Sequence, residues 1–205
     1  MNKKIVWIIG GIVGFGLIVA MAFAIANEPV LDDSIAFREV TVDGDPLPYL
    51  ADPNLADPTL GFTAPTVSGF DWNEKPSTVG PDGRPKILIF LAHWCSHCQA
   101  EVPEVQDWLD EGRLGDNVDM YSFTVLSDKL RPEWPPQEWL EEEGWTTPVI
   151  MDDAIGSVVV SYGMRGTPFY VVLDGENTNL GRFSGQVGPA GLDRMVELAE
   201  FSIGS

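Results

Sequence analysis

The stretch PKILIFLAHW, residues 85–94, restricts the fold more than any other part of the sequence. It is a continuous apolar run of strand length. Apolarity on both faces predicts a central strand buried on both sides. It leads directly into CQAEVPEVQDWLDEG, where Val102, Val105, Trp108 and Leu109 recur at helical spacing and Gly112 supplies a stop. Downstream, VDMYSFTVLS (118–127) reads as a strand, PPQEWLEEEGW as a short acidic helix and PVIMDD (148–153) as a short strand. IGSVVVSYG (155–163) reads as a helix because strands flank it. PFYVVLD (168–174) and NLGRFSG (179–185) form a strand pair, and GPAGLDRMVELAEFS closes the chain as an amphipathic helix. Strands and helices in this order make a layered α/β domain.

The ends of the chain are of different character. Ile5 to Ala26 is an uncharged apolar run behind Lys3 and Lys4. It is long enough to span a bilayer core of about 30 Å, which needs about 20 helical residues. Residues 1–26 are therefore expected to be a transmembrane anchor, with a cleaved signal peptide ending at Ala24-Ile25-Ala26 as the alternative. Lys3 and Lys4 place the amino terminus in the cytoplasm and everything after Asn27 outside. Gly10 and Gly14 form a GxxxG pair, a pattern common in apolar helices. Residues 27–60 carry Pro29, Pro46, Pro48, Pro53 and Pro58 among many aspartates, with a near-repeat in LADPNLADPTL. Proline at this density predicts an extended spacer between membrane and domain, with a short strand at Phe37 to Val42. The globular domain is expected over residues 61–205. A formal net charge of -19 and the lack of a basic patch beyond Lys129 and Arg131 exclude nucleic acid as a partner.

Both cysteines and both histidines of the chain fall in HWCSHC, residues 93–98. Zinc wants four ligands in a tetrahedron. Cys95 and Cys98 share a helix face, but His97 lies about 100° round the axis from Cys98 and His93 ends the strand. A two-cysteine site for Cu(I) is the metal alternative. Redox chemistry needs less. At a helix N-terminus, free N–H groups and the helix dipole stabilise a thiolate on Cys95, while Cys98, one turn in, is buried and acts later. A static exported disulfide is the weaker reading, because so short a loop constrains the unfolded chain little.

FLAHWCSHCQAEVP resembles the active-site segment of thioredoxin-fold proteins, specifically the membrane-tethered, extracytoplasmic TlpA/ResA/DsbE-like branch. APTVSGFDW (64–72) is similar to that branch's AP-x-F-x-L opening, with Val67 for the usual aromatic. GTPFYVVLD (166–174) is similar to its Gly-Thr-cisPro loop and GRFSGQVG (181–188) to its edge strand. The resemblance covers about residues 60–203. It implies a three-layer α/β/α sandwich with a central mixed sheet and a central insertion around residues 131–153. It implies a redox-active Cys95–Cys98 disulfide and no other cofactor, with Cys95 as nucleophile and Cys98 as resolving thiol. Thr167 and Pro168 are expected to form a cis peptide that presents backbone to an extended substrate, with Trp94 packed beside the motif. A buried Asp six residues before the first cysteine is usual in thioredoxins, and here that position is Ile89. Glu101 matches a glutamate of the ResA-like branch and is read either as a base for Cys98 or as a solvated acid.

His97 resembles the residue before the second cysteine in the oxidant DsbA, and there it stabilises the Cys95 thiolate and so the reduced form. Ser96 departs from the proline of that motif. The expected activity is thiol–disulfide exchange with exported proteins, in the disulfide-donating direction, with a membrane redox partner resetting the pair. The alternative is a dedicated reductase, such as one serving apocytochrome c. His93 either lines the site or packs at the strand end. Trp134, Trp139 and Trp145 are read as core, with a docking patch as the alternative.

Overall fold

The computed structural model describes residues 35–204; the expected anchor, its GxxxG pair and the first part of the expected spacer lie outside them. Among the described residues no helix is long and apolar enough to cross a membrane. The strands are β1 (Thr41–Asp43), β2 (Thr66–Phe70), β3 (Pro76–Val79), β4 (Lys86–Leu91), β5 (Asp119–Thr124), β6 (Val149–Met151), β7 (Phe169–Leu173) and β8 (Asn179–Ser184). The helices are α1 (Ser96–Asp110), α2 (Pro136–Glu142), α3 (Ser157–Ser161) and α4 (Gly188–Phe201).

The apolar run is the middle strand. The main sheet has the order β6-β5-β4-β7-β8, with β5 parallel and β7 antiparallel to β4. All six residues of β4 are buried. Side chains alternate along a strand, so the run feeds two cores. Ile87, Ile89 and Leu91 pack with Cys98, Val102, Val105 and Trp108 of α1 and Leu192, Met195 and Ala199 of α4. Leu88 and Phe90 face the other way, toward Val158 of α3, Tyr162, Phe123 and Phe169. The chain therefore adopts the expected α/β/α sandwich around a mixed sheet. The acidic stretch after β5 builds α2 and the edge strand β6, and Trp139 of α2 is buried in the core. Trp145 is half-buried against the same core and donates to the Ser122 hydroxyl at 3.0 Å, so packing rather than exposure governs both tryptophans.

The described part of the expected spacer is not a spacer. Residues 35–60 are docked on the domain. β1 pairs with β2, which pairs in turn with β3 in a separate antiparallel sheet. Leu47 and Leu50 are buried beside Tyr162 and Met164. Burying a leucine fully stabilises by about 1.5–3 kcal/mol, enough to hold such a segment. Their backbone amides donate to the Ser161 and Gly163 carbonyls. At Gly163 (φ 58) a Cβ would collide with the Leu47 and Pro48 carbonyls, so only glycine lets the segment approach this closely. Asp57 makes a bidentate ion pair with Arg182 of β8, at 2.7 and 2.8 Å. The prolines prevent regular pairing, as expected, but side chains replace the missing ladder. The short strand expected at 37–42 is β1, displaced to Thr41–Asp43, and β3 has no apolar alternation that could announce it.

Candidate active site

β4 ends at Leu91, and the turn Ala92–Trp94 delivers Cys95 to the N-cap of α1. The Cys95 amide donates to the Ala92 carbonyl at 2.9 Å, and its own carbonyl takes the first helical bond, from Gln99, at 3.0 Å. No side chain caps the helix, so its first N–H groups are left for the Cys95 sulfur. The sulfur is half-buried and, as a thiol, donates to the Thr167 carbonyl at 3.3 Å. Burial opposes its ionisation, but the Thr167 side chain and the Cys98 and His97 amides override that, and the Cys95 thiol falls below its ordinary value. Cys98 is fully buried, and burial pushes its thiol up to about 12. Both cysteines are free thiols here. One helical turn thus separates an easily ionised thiol from a strongly protonated one.

The Thr167–Pro168 peptide is cis, with Pro168 buried and Thr167 half-buried beside the motif. Ser96 and His97 are exposed in the first turn of α1. His97 Nδ1 lies 2.9 Å from Gln186 Oε1; the amide oxygen can only accept, so Nδ1 carries the proton. Trp94 is half-buried, its indole N–H donating to the Leu126 carbonyl at 2.7 Å, and the Arg131 guanidinium lies 4.4 Å from the centre of its ring. Trp94, Leu126, Arg131 and Phe37 line a cavity of about 400 Å³.

His93 does not join the site. It is 1 % exposed, its Nε2 accepts from the Asp128 amide at 3.1 Å, and its Nδ1 therefore donates to the Pro132 carbonyl at 2.6 Å. Burial lowers its basicity. Its ring packs edge-on against Trp134, so His93 anchors the loop after β5 rather than facing Cys95. Among the described residues no three His, Cys, Asp or Glu side chains gather as a metal site.

Glu101 is not the solvated acid of the bland alternative. It is 1 % exposed, on the same face of α1 as Cys98. Its Oε1 accepts from the Tyr170 hydroxyl at 2.7 Å and from the Val187 and Gly188 amides at 2.8 and 3.2 Å. Its Oε2 is buried without a protein partner. Sequence reasoning missed Tyr170 and Gln186. Tyr170 sits inside an apolar strand run, and only the register, which pairs it with Ile89, puts it under α1. Gln186 follows a strand end and carries no pattern.

The family model described as Thioredoxin-like domain matches residues 72–200. No curated protein matches the chain. Solved structures of similar fold include a thiol:disulfide interchange protein of the thioredoxin family from Chlorobium tepidum TLS. It is 24% identical with a TM-score of 0.55, over 67% of this chain and 94% of that one. A putative protein disulfide isomerase from Bacteroides thetaiotaomicron is 18% identical with a TM-score of 0.57, over 78% of this chain and 95% of that one. StoA from Bacillus subtilis is 18% identical with a TM-score of 0.51, over 60% and 90%.

Proposed function

Since the chain belongs to the thioredoxin-like domain family, we propose that it is a thiol–disulfide oxidoreductase that donates its Cys95–Cys98 disulfide to exported proteins. The observation that carries this reading is the asymmetry of the pair. Cys95 is reachable and readily ionised, while Cys98, one turn away, is buried with its thiol pushed up to about 12. Interchange is the activity named for the Chlorobium tepidum relative; for this chain the reading rests on the two thiols.

In the donating direction a client thiolate attacks Cys95 Sγ of the disulfide. The Cys95–Cys98 bond breaks, and Cys98 leaves as a thiolate that takes a proton from Glu101. A second client thiolate then attacks the client sulfur of the mixed disulfide. Cys95 departs as a thiolate, stabilised by the α1 amides and the Thr167 side chain. The client gains a disulfide and the protein is left as the dithiol. A membrane partner of the opposite poise takes the two electrons back. Thr167 and Pro168 present backbone to the client, and Trp94 flanks it. His97 favours the thiolate, and with it the reduced form and the donating direction. Placement outside the membrane follows from the uncharged run of residues 5–26 and the lysines before it.

The test is the reduction potential of the full chain, equilibrated against glutathione. A value above about -180 mV is expected of a disulfide donor. A value below about -230 mV would overturn the direction and make the protein a reductase. Absence of exchange would overturn the activity itself.

A further inference from the structure

The Glu101 carboxylate sits in a site that treats its two oxygens differently. Oε1 is saturated by the Tyr170 hydroxyl and the Val187 and Gly188 amides, at 2.7, 2.8 and 3.2 Å. Oε2 is buried and has no protein partner. A buried carboxylate oxygen without a donor is costly, so its retention calls for an explanation. The explanation lies one helical turn away. Cys98, three residues earlier on the same buried face, holds a thiol that must lose or gain a proton whenever the disulfide opens or closes.

We infer that Tyr170 is a positioning residue that fixes Glu101 through Oε1 and so reserves Oε2 as the single proton-exchanging atom for Cys98. The inference rests on the thiol-exchange reading above and deepens it. The β4–β7 register supports it. Tyr170 is the cross-strand partner of Ile89, and both are fully buried on the sheet face that α1 covers. A carboxylate at Ile89 would stand on the sheet; here the sheet supplies a hydroxyl and the helix supplies the acid. The Tyr170 hydroxyl is held as a donor, because burial and the neighbouring Glu101 push its ionisation well above the ordinary value. The titratable groups that act on the Tyr170 hydroxyl are Glu101, Cys98 and Glu104 of α1, and the two amides that open α4 bind the Glu101 carboxylate. The donors from β7 and α4 all converge on one oxygen.

The step can be watched in the closing direction. A reduced protein mixed with an aromatic disulfide of thionitrobenzoate releases the coloured thiolate twice. First, the Cys95 thiolate attacks one sulfur, forming a mixed disulfide and expelling one thionitrobenzoate. Second, Cys98 gives its proton to Glu101 Oε2 and attacks Cys95 Sγ. The bond from Cys95 to thionitrobenzoate breaks, its electron pair leaves with the second thiolate, and the Cys95–Cys98 disulfide is closed.

The experiment is stopped-flow measurement of both releases against pH in the full chain, for the native protein, Tyr170→Phe, Glu101→Gln and the double variant. The first release is expected to be unchanged throughout. The second is expected to slow about a hundredfold in Glu101→Gln. It is expected to slow about tenfold in Tyr170→Phe with its pH profile displaced, and no further in the double variant than in Glu101→Gln. A second release that Glu101→Gln slows and Tyr170→Phe leaves unchanged, in rate and profile, would overturn the role of Tyr170 alone. A second release indifferent to Glu101→Gln would overturn this inference and leave the exchange reading standing, whereas a second release absent from the native protein would overturn both. Should Tyr170→Phe not fold, the native protein still decides. The Val187 and Gly188 amide resonances should titrate with the midpoint of the second release, and amides that stay silent through it would refute the assignment.

Discussion

Two buried carboxylates, Asp57 and Glu101, lie on opposite faces of the central sheet and are treated in opposite ways. On the α3 face, Asp57 has both oxygens satisfied: Arg182 binds it bidentately, the Thr59 amide and hydroxyl donate to Oδ1, and Asn179 donates to Oδ2. On the α1 face, Glu101 has three donors on one oxygen and none on the other. Both are almost fully buried, so burial alone does not tell a structural acid from a reactive one. Completeness of hydrogen bonding does. A saturated carboxylate has nothing left to give or take, whereas a half-saturated one next to a thiol can move a proton.

The comparison is broken most severely by Asp57→Asn. It removes one partner of a buried ion pair and leaves the Arg182 charge without its counter-charge, which typically costs about 3–5 kcal/mol. Urea unfolding should show that loss, while the rates of thiol exchange in the folded protein stay as they were. Glu101→Gln should reverse the pattern. The amide oxygen can keep the three donors of Oε1, so the stability cost should stay near 1–2 kcal/mol while the second thiolate release collapses. Loss of stability without loss of exchange at Glu101 would erase the distinction. Next in size is Leu50→Ala, expected to cost about 2–4 kcal/mol, because the docked segment depends on that side chain as well as on Asp57. A spacer would lose nothing.

Asp57 shows where the sequence stops being readable. It lies in LADPNLADPTL, whose prolines and aspartates describe a spacer, yet its partner Arg182 is 125 residues away. Composition reports what a segment can do by itself; docking depends on what the rest of the fold offers it. The site splits the same way. The apolar run of β4 and the helical spacing after it place Cys95 at a helix start and Cys98 inside, because period and punctuation are local properties. The donors on Glu101 come from residues 69, 86 and 87 positions later, and nothing local distinguishes Tyr170 from the apolar residues around it. His93 looks like a member of the motif and is a strut for the loop after β5, since only the fold shows that both its nitrogens are engaged.

The two faces also differ in how pH acts on them. Burial would raise the pKa of Asp57, but Arg182, Thr59 and Asn179 hold it well below the usual carboxylate range. Its folded value is lower than its unfolded one. The pair therefore contributes in full above the unfolded value of about 3.9 and is lost as pH falls below it. Cys98 has the opposite sign, since burial raises it to about 12 in the folded state. In the reduced protein the unfolded chain releases that proton first, so stability falls as pH rises past about 9, by roughly 1 kcal/mol at about pH 10. The oxidised protein has no such proton to lose. Urea midpoints of the two forms should converge upward in pH on this account, and Cys98→Ala should flatten the alkaline limb of the reduced form. An alkaline limb that is the same in all three would mean that Cys98 is not protonated as deeply as its burial requires.

The smallest expected effect lies at the exposed edge of the α1 face, where neither pattern of burial applies. His97 is exposed in the first turn of α1, and its Nδ1–H donates to Gln186 Oε1. A donor held by a neutral amide in water has a modest hold on the ring, and its influence on Cys95 adds to that of the Cys98 and His97 amides and the Thr167 side chain, which remain when the imidazole is gone. His97→Ala should therefore lower the reduction potential by about 30 mV, equivalent to about 1.4 kcal/mol of lost preference for the reduced form. Gln186→Ala should move it by less and in the same direction, because it frees the ring without removing it. A drop several times larger in His97→Ala would show that the imidazole, and not the amides of α1, sets the poise of Cys95. The thiolate would then depend on an exposed side chain, while the buried half of the site, Glu101 and Tyr170, would govern only how fast the pair opens and closes.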